Sequence, residues 1–179
     1  MNPLRANELP AASQTPQPLI TGPWPRIILA TVRVTLGVLF LSVWVQNVRK
    51  GLYSADGFAG LTRHYRDTGS APGIWKDVMG WVADHANVIG PFQMVGEFAL
   101  GALLLAGVAT RLMGFAAAGF LSLLWLSEVG VPNEWIWSLV FPVLAALSVA
   151  ILSGGRAYGL DTVLLDRAPL RRLPRWARG

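Results

Sequence analysis

Residues 88–109 read Val-Ile-Gly-Pro-Phe-Gln-Met-Val-Gly-Glu-Phe-Ala-Leu-Gly-Ala-Leu-Leu-Leu-Ala-Gly-Val-Ala, with Glu97 as their one charge. About twenty apolar residues in a row is what a helix needs to cross a bilayer. Three more runs have the same character. Ile27–Val45 is interrupted by Arg33, Leu112–Val131 by Glu128, and Trp135–Leu152 by no charge at all. Pro142 inside the last run predicts a kink, which membrane helices tolerate. The expectation is an all-α fold: a four-helix transmembrane bundle occupying residues 26–165, with spans 27–45, 88–109, 112–131 and 135–152.

Composition agrees with that reading. Hydrophobic residues make up 53% of the 179 positions and charged residues only 14%, against about a quarter in soluble domains. Mean hydropathy is +0.46, yet the sequence pI is about 10.4. There is no cysteine, and the histidines are His64 and His85. This excludes disulfides, thiolate metal sites, Fe–S ligation and covalent haem, and no metal is expected. Redox chemistry would need a bound organic cofactor or a partner chain. Residues 1–25, rich in proline, predict a disordered tail without the apolar core of a signal peptide. Residues 166–179 predict a basic tail.

Four spans put both termini on one side. That side carries nine basic residues, among them Arg111, Arg156 and Arg167. The other carries five, offset by Asp56, Asp67, Asp77 and Asp84. The positive-inside rule then places both termini in the cytoplasm of a multi-pass inner (plasma) membrane protein. Arg49 and Lys50, at the outer end of the first span, run against that bias. Trp44, Trp75, Trp81, Trp125, Trp135 and Trp137 map to the outer face. An aromatic belt at the headgroups needs no ligand; the sharper reading is a lining for a planar molecule, with Trp44 and Trp125 as its candidates.

The outer segment Val48–Asn87 repeats Ile74, Trp75, Val78, Met79, Val82 and Ala86 at helical spacing. This predicts an amphipathic interfacial helix in the long first outer loop, lying on the membrane or capping the bundle. Gly57, Gly60, Gly69 and Gly73 predict turns. Small residues at four-residue spacing, Ala102/Ala106, Gly114/Ala118 and Ala146/Ala150, predict close helix packing.

Arg33 and Glu97 fall inside spans, where a charge facing lipid costs about 2.5–3.5 kcal/mol. Both should face the interior. Gly101, one turn beyond Glu97, would let another helix approach. Counting 1.5 Å per residue places Arg33 about 9 Å and Glu97 about 18 Å from the cytoplasmic end. Two readings stay open: an Arg33–Glu97 pair that fixes two helices, or a Glu97 that handles protons or a bound molecule. In the outer loop, Arg63, His64 and Arg66 could hold a small dianion, since guanidinium binds oxyanions bidentately. Contact with anionic lipid is the plainer role. The basic residues form no single stripe, so nucleic acid is not an expected partner.

Taken in order, these residues resemble a known pattern: Arg33-x3-Gly37-x2-Phe40, then Gly96-Glu97-x3-Gly101 and Leu103-Leu104-Leu105-Ala106-Gly107. Thr110-Arg111, Asn133-Glu134-Trp135-Ile136-Trp137 and Gly155-Arg156-x-Tyr158-Gly159-Leu160-Asp161 follow. The chain resembles the DoxX/DoxD superfamily of four-helix membrane proteins over about Arg26–Leu165, and the DoxD side most. It departs where members often carry a glycine and then a lysine: here stands Trp44-Val45-Gln46-Asn47. A site built on that lysine is not carried over. The resemblance implies a quinone-linked subunit that oxidises thiosulfate to tetrathionate, usually with a second small subunit. Its alternative is a non-catalytic scaffold that recruits soluble redox or detoxification enzymes. On the first, Glu97 and Arg33 organise the site, Arg63, His64 and Arg66 attract the anion, and quinone is the cofactor. Membrane lipid is a further expected partner, and a homodimer is left open. A small transporter is disfavoured, because no inverted repeat is visible.

Overall fold

A computed structural model describes residues 22–135, 137–152 and 157–164; residues 1–21 of the tail expected at 1–25, and the whole tail expected at 166–179, lie outside the described residues. Among the described residues there are seven helices and no strand. They are α1 (Pro23–Arg49), α2 (Ala55–Thr68), α3 (Gly73–Asp84), α4 (Ala86–Ala106), α5 (Thr110–Glu128), α6 (Val140–Ile151) and α7 (Asp161–Leu164).

Helices α1, α4 and α5 are long and apolar enough to cross a membrane. α1 begins four residues before the expected span, at Pro23, and absorbs the end of the expected tail. Pro23 and Pro25 sit in its first turn, where a missing N–H costs nothing. α6 is the larger departure. The run 135–152 predicts a full span, but helix forms only over the twelve residues Val140–Ile151, about 18 Å of rise. The chain turns first, with Asn133 at φ 68° and the Ser138 amide bonded to the Trp135 carbonyl at 2.8 Å. Pro142 therefore lies in a first turn and causes no mid-helix kink, because it has no intrahelical acceptor to forfeit there.

The segment 48–87 holds two helices where one was expected. Gly57 and Gly60 are inside α2, and only Gly69 and Gly73 mark its end and the start of α3. Ser54 caps α2 by accepting from the Gly57 amide at 3.1 Å. A side chain at Gly57 would meet the Gly51 carbonyl, so the glycine serves a close approach rather than a turn. In α3 the buried residues are Met79 and Ala83, whereas Ile74 and Val78 of the apolar pattern are exposed, as is Trp81. Met79 and Ala83 are turned inward; Ile74 and Trp81 form a second, outward stripe.

The core runs between α1, α4, α5 and α6 through Leu36, Phe40, Leu100, Leu104, Leu121 and Val149. In a membrane, close backbone approach rather than water exclusion holds helices together. A Cβ on Gly37 would lie 3.0 Å from the Gly101 carbonyl, and one on Gly101 would lie 2.7 Å from Leu41 Cγ. One on Gly114 would lie 2.9 Å from Ala150. Gly101 and the Gly114–Ala146–Ala150 seam thus pack as the spacing predicts. Ala102 and Ala106 are only half-buried; Gly37 and Gly101 make the α1–α4 seam instead.

The α2–α3 layer is fastened to the end of α5. The Ser70 amide donates to the Val129 carbonyl at 2.6 Å, and Trp75 Nε1 donates to Ser127 Oγ at 3.0 Å. Phe58, Ala59, Ala83 and Ala86 form its own small core.

Candidate functional site

Glu97 is 2% exposed, and a buried carboxylate needs donors to replace its water. Three side chains supply them. Gln93, one turn earlier on α4, donates from Nε2 to Oε1 at 2.8 Å. Asn47, near the end of α1, donates from Nδ2 to Oε2 at 3.4 Å. The Tyr53 hydroxyl donates to the same oxygen in a short hydrogen bond. Tyr53 belongs to the α1–α2 connection, which lies so close to α4 that a Cβ on Gly90 would sit 2.7 Å from the Tyr53 carbonyl. Burial, and then the hydrogen bond to Glu97, push the Tyr53 phenol well above its ordinary range. The phenol therefore keeps its proton and donates a hydrogen bond to the carboxylate.

Arg33 does not take part in this cluster. The open question of an Arg33–Glu97 pair resolves against it. Arg33 is 2% exposed, and its Nη1 donates to the Leu104 and Leu105 carbonyls at 2.6 and 3.0 Å. Its Nη2 reaches the Tyr158 carbonyl at 3.4 Å. The physical reason is where α4 ends. Gly107, at φ 68°, closes the helix in the left-handed conformation. That leaves last-turn carbonyls in want of donors, and Arg33 meets them first. Seven residues of α4, roughly 10 Å at 1.5 Å per residue, separate Glu97 from Leu104.

The same junction explains the end of the sequence pattern. The Leu160 and Asp161 amides donate to the Ala106 and Gly107 carbonyls at 3.1 and 2.8 Å. The Asp161 carboxylate accepts from the Ala109 and Thr110 amides at 2.8 and 2.9 Å. It thereby caps α5 and holds Ala109 in a positive-φ conformation of 48°. A Cβ on Gly107 would lie 2.6 Å from both Arg33 Nη1 and the Gly159 Cα. Arg33, Gly107, Gly159 and Asp161 form one structural lock; Gly155 and Arg156 of the pattern lie outside the described residues.

Arg63 and Arg66 are each engaged by a carboxylate. Arg63 Nη2 lies 3.3 Å from Asp84, and Arg66 Nε lies 2.7 Å from Asp67. His64 is exposed beside them. Tyr65, their sequence neighbour, faces the other way and lines a cavity between α2, α3, α4 and α5. Its hydroxyl donates to Glu128 Oε1 at 3.4 Å. Burial and the charges of Glu128 and Glu134 push this phenol up as well.

Of the two candidate tryptophans, Trp44 packs on Phe98 with ring centroids 5.2 Å apart. Its buried Nε1 has no hydrogen-bond partner among the described residues. Trp125 is half-buried on α5. Neither belongs to the cavity lining, which includes Trp75 instead. Sequence reading missed Asn47, Tyr53 and Gln93. Gln93 alone had a local signal, its four-residue offset from Glu97 on one helix face.

The family model described as TQO small subunit DoxD matches residues 28–172. The chain belongs to the DoxD family. The match covers all seven helices but the first turns of α1. It agrees with the DoxX/DoxD resemblance of the sequence, and with three apolar helices it makes the chain a membrane protein. DoxD proteins are named for a subunit of thiosulfate:quinone oxidoreductase. No curated protein and no solved structure matches the chain.

Proposed function

We propose that this DoxD protein is the membrane subunit of a thiosulfate:quinone oxidoreductase, and that the Glu97 cluster handles protons for quinone reduction. The observation that carries the reading is a buried carboxylate in an apolar helix, bonded to a phenol, in a chain of this family. A buried ionisable group in a span is expensive and usually marks function. Two thiosulfate ions each give up one electron and join through a new sulfur–sulfur bond as tetrathionate. The quinone takes the two electrons and two protons to become the quinol. Glu97 and Tyr53 form a short donor–acceptor chain from the outer helical layer into the bundle, and general acid–base transfer along such a chain contributes about 10²–10⁴-fold. Arg33 acts here as a positioning residue, through the lock that sets the end of α4.

The same reading places α1, α4, α5 and α6 as a four-helix transmembrane bundle in the plasma membrane, both termini cytoplasmic. The short α6 reaches across with the turns before it. The exposed stripe Ile74 and Trp81 suits a helix layer at the headgroups, as do exposed Trp135 and Trp137. Because Arg63 and Arg66 are already balanced by carboxylates, thiosulfate is assigned to a surface shared with a second subunit. The test is thiosulfate-dependent quinone reduction by the complex purified in mild detergent, wild type against Glu97→Gln. A scaffold would leave that variant fully active or show no such activity at all.

A further inference from the structure

The cavity between α2, α3, α4 and α5 has a volume of about 230 Å³. Pockets for whole drug-sized ligands run from about 300 Å³ upward, so this one suits a single ring system. Its walls are mostly apolar and include the rings of Phe58, Tyr65, Trp75 and Phe120. Polar groups enter at separate places. The Tyr65 hydroxyl of α2 donates to Glu128, Trp75 of α3 donates to Ser127 of α5, and Ser127 donates to the Leu123 carbonyl. Gln93 enters from α4. It lines the cavity and also donates to Glu97. An amide carries two N–H donors, so one side chain connects the cavity to the buried carboxylate.

We propose that this cavity is the docking site for the quinone ring, with Gln93 as the residue that couples a ring oxygen to Glu97. A flat, apolar ring with a carbonyl acceptor at its edge is the chemistry that aromatic walls and the second amide N–H of Gln93 recognise. The inference rests on the quinone-linked reading of the Glu97 cluster and adds where the ring lies. It assigns the ring to the α2–α5 side of α4, away from the Trp44–Phe98 seam on the α1 side.

The experiment uses the full chain in detergent without thiosulfate. A short-chain azido-benzoquinone is photolysed on it and the labelled peptides are mapped; decyl-benzoquinone affinity is measured by calorimetry. Label should fall on peptides that carry Tyr65, Trp75 or Gln93. Gln93→Leu should weaken affinity about tenfold, the loss of one buried hydrogen bond. Val78→Trp, a substitution at an exposed lining position, should block the cavity and weaken affinity at least as much, with circular dichroism unchanged. Label on the Trp44–Phe98 seam, no saturable binding, or unaltered affinity in a folded Val78→Trp protein would overturn the proposal. If quinone binds here but thiosulfate never reduces it, the oxidoreductase reading fails and the site stands. If thiosulfate does reduce quinone but the label lies elsewhere, the reverse holds.

Discussion

Asp161→Ala tests the lock at the ends of α4 and α5. The carboxylate is 8% exposed and accepts two backbone amides at 2.8 and 2.9 Å. Hydrogen bonds to a charged group contribute about 1.5–3 kcal/mol each, although helix caps measured alone give about 0.5–2. The substitution also removes a charge that acts on Arg33 through space, while Arg33 keeps its carbonyl acceptors on Leu104 and Leu105. These effects share partners and do not add, so about 3 kcal/mol, the upper end for one such bond, is the expected total. For a chain of this size each kcal/mol moves Tm by about 2–4 °C. Thermal unfolding in mild detergent, followed by circular dichroism, should therefore show a drop of roughly 10 °C. Asp161→Asn, which keeps an acceptor but not the charge, should fall between. A shift below about 2 °C, less than 1 kcal/mol, would refute the lock.

Other outcomes follow from the same geometry. Because Arg33 and Glu97 serve separate clusters, the effects of Arg33→Gln and Glu97→Gln on Tm should add within about 0.5 kcal/mol; a larger coupling would restore the direct pair. Tyr53 and Tyr65 keep their protons above the ordinary tyrosine range near 10. As pH rises past 10 the unfolded chain loses protons that the folded chain retains, so stability should fall from that pH upward. Tyr53→Phe and Tyr65→Phe should each lessen the fall in unfolding titrations, and an unchanged profile in both would contradict the burial. With no native cysteine, Asp56→Cys should label only from outside and Val163→Cys only from the cytoplasm; the reverse pattern would invert the topology.

Much of this fold is written in hydrophobic runs, because lipid demands long apolar helices. The runs locate α1, α4 and α5 and the buried charges Arg33 and Glu97. They overstate α6, since Trp135 and Trp137 are apolar but exposed, and hydropathy does not distinguish an apolar turn from an apolar helix. Gly101 and Gly114 announced their packing because a missing side chain has meaning at a four-residue interval. The partners of Arg33 and Glu97 were harder to read. Opposite charges inside neighbouring spans left a direct pair open despite depths that differ by about 9 Å, yet a helix end offers carbonyls to a cation as well as any carboxylate does. Gly107 was the clue, and it was quoted only as part of a family pattern. Tyr53 and Asn47 come from the end of α1 and the connection beyond it, fifty residues or so from Glu97, and no periodicity links them.

The most direct test of the central claim is the steady-state rate of thiosulfate-dependent quinone reduction by the detergent-purified complex that carries Glu97→Gln. The substitution keeps the shape of the side chain and removes its proton chemistry. The account predicts normal folding and assembly with a loss of about 10²–10⁴-fold in kcat. A folded, assembled variant that reduces quinone at the wild-type rate would contradict it.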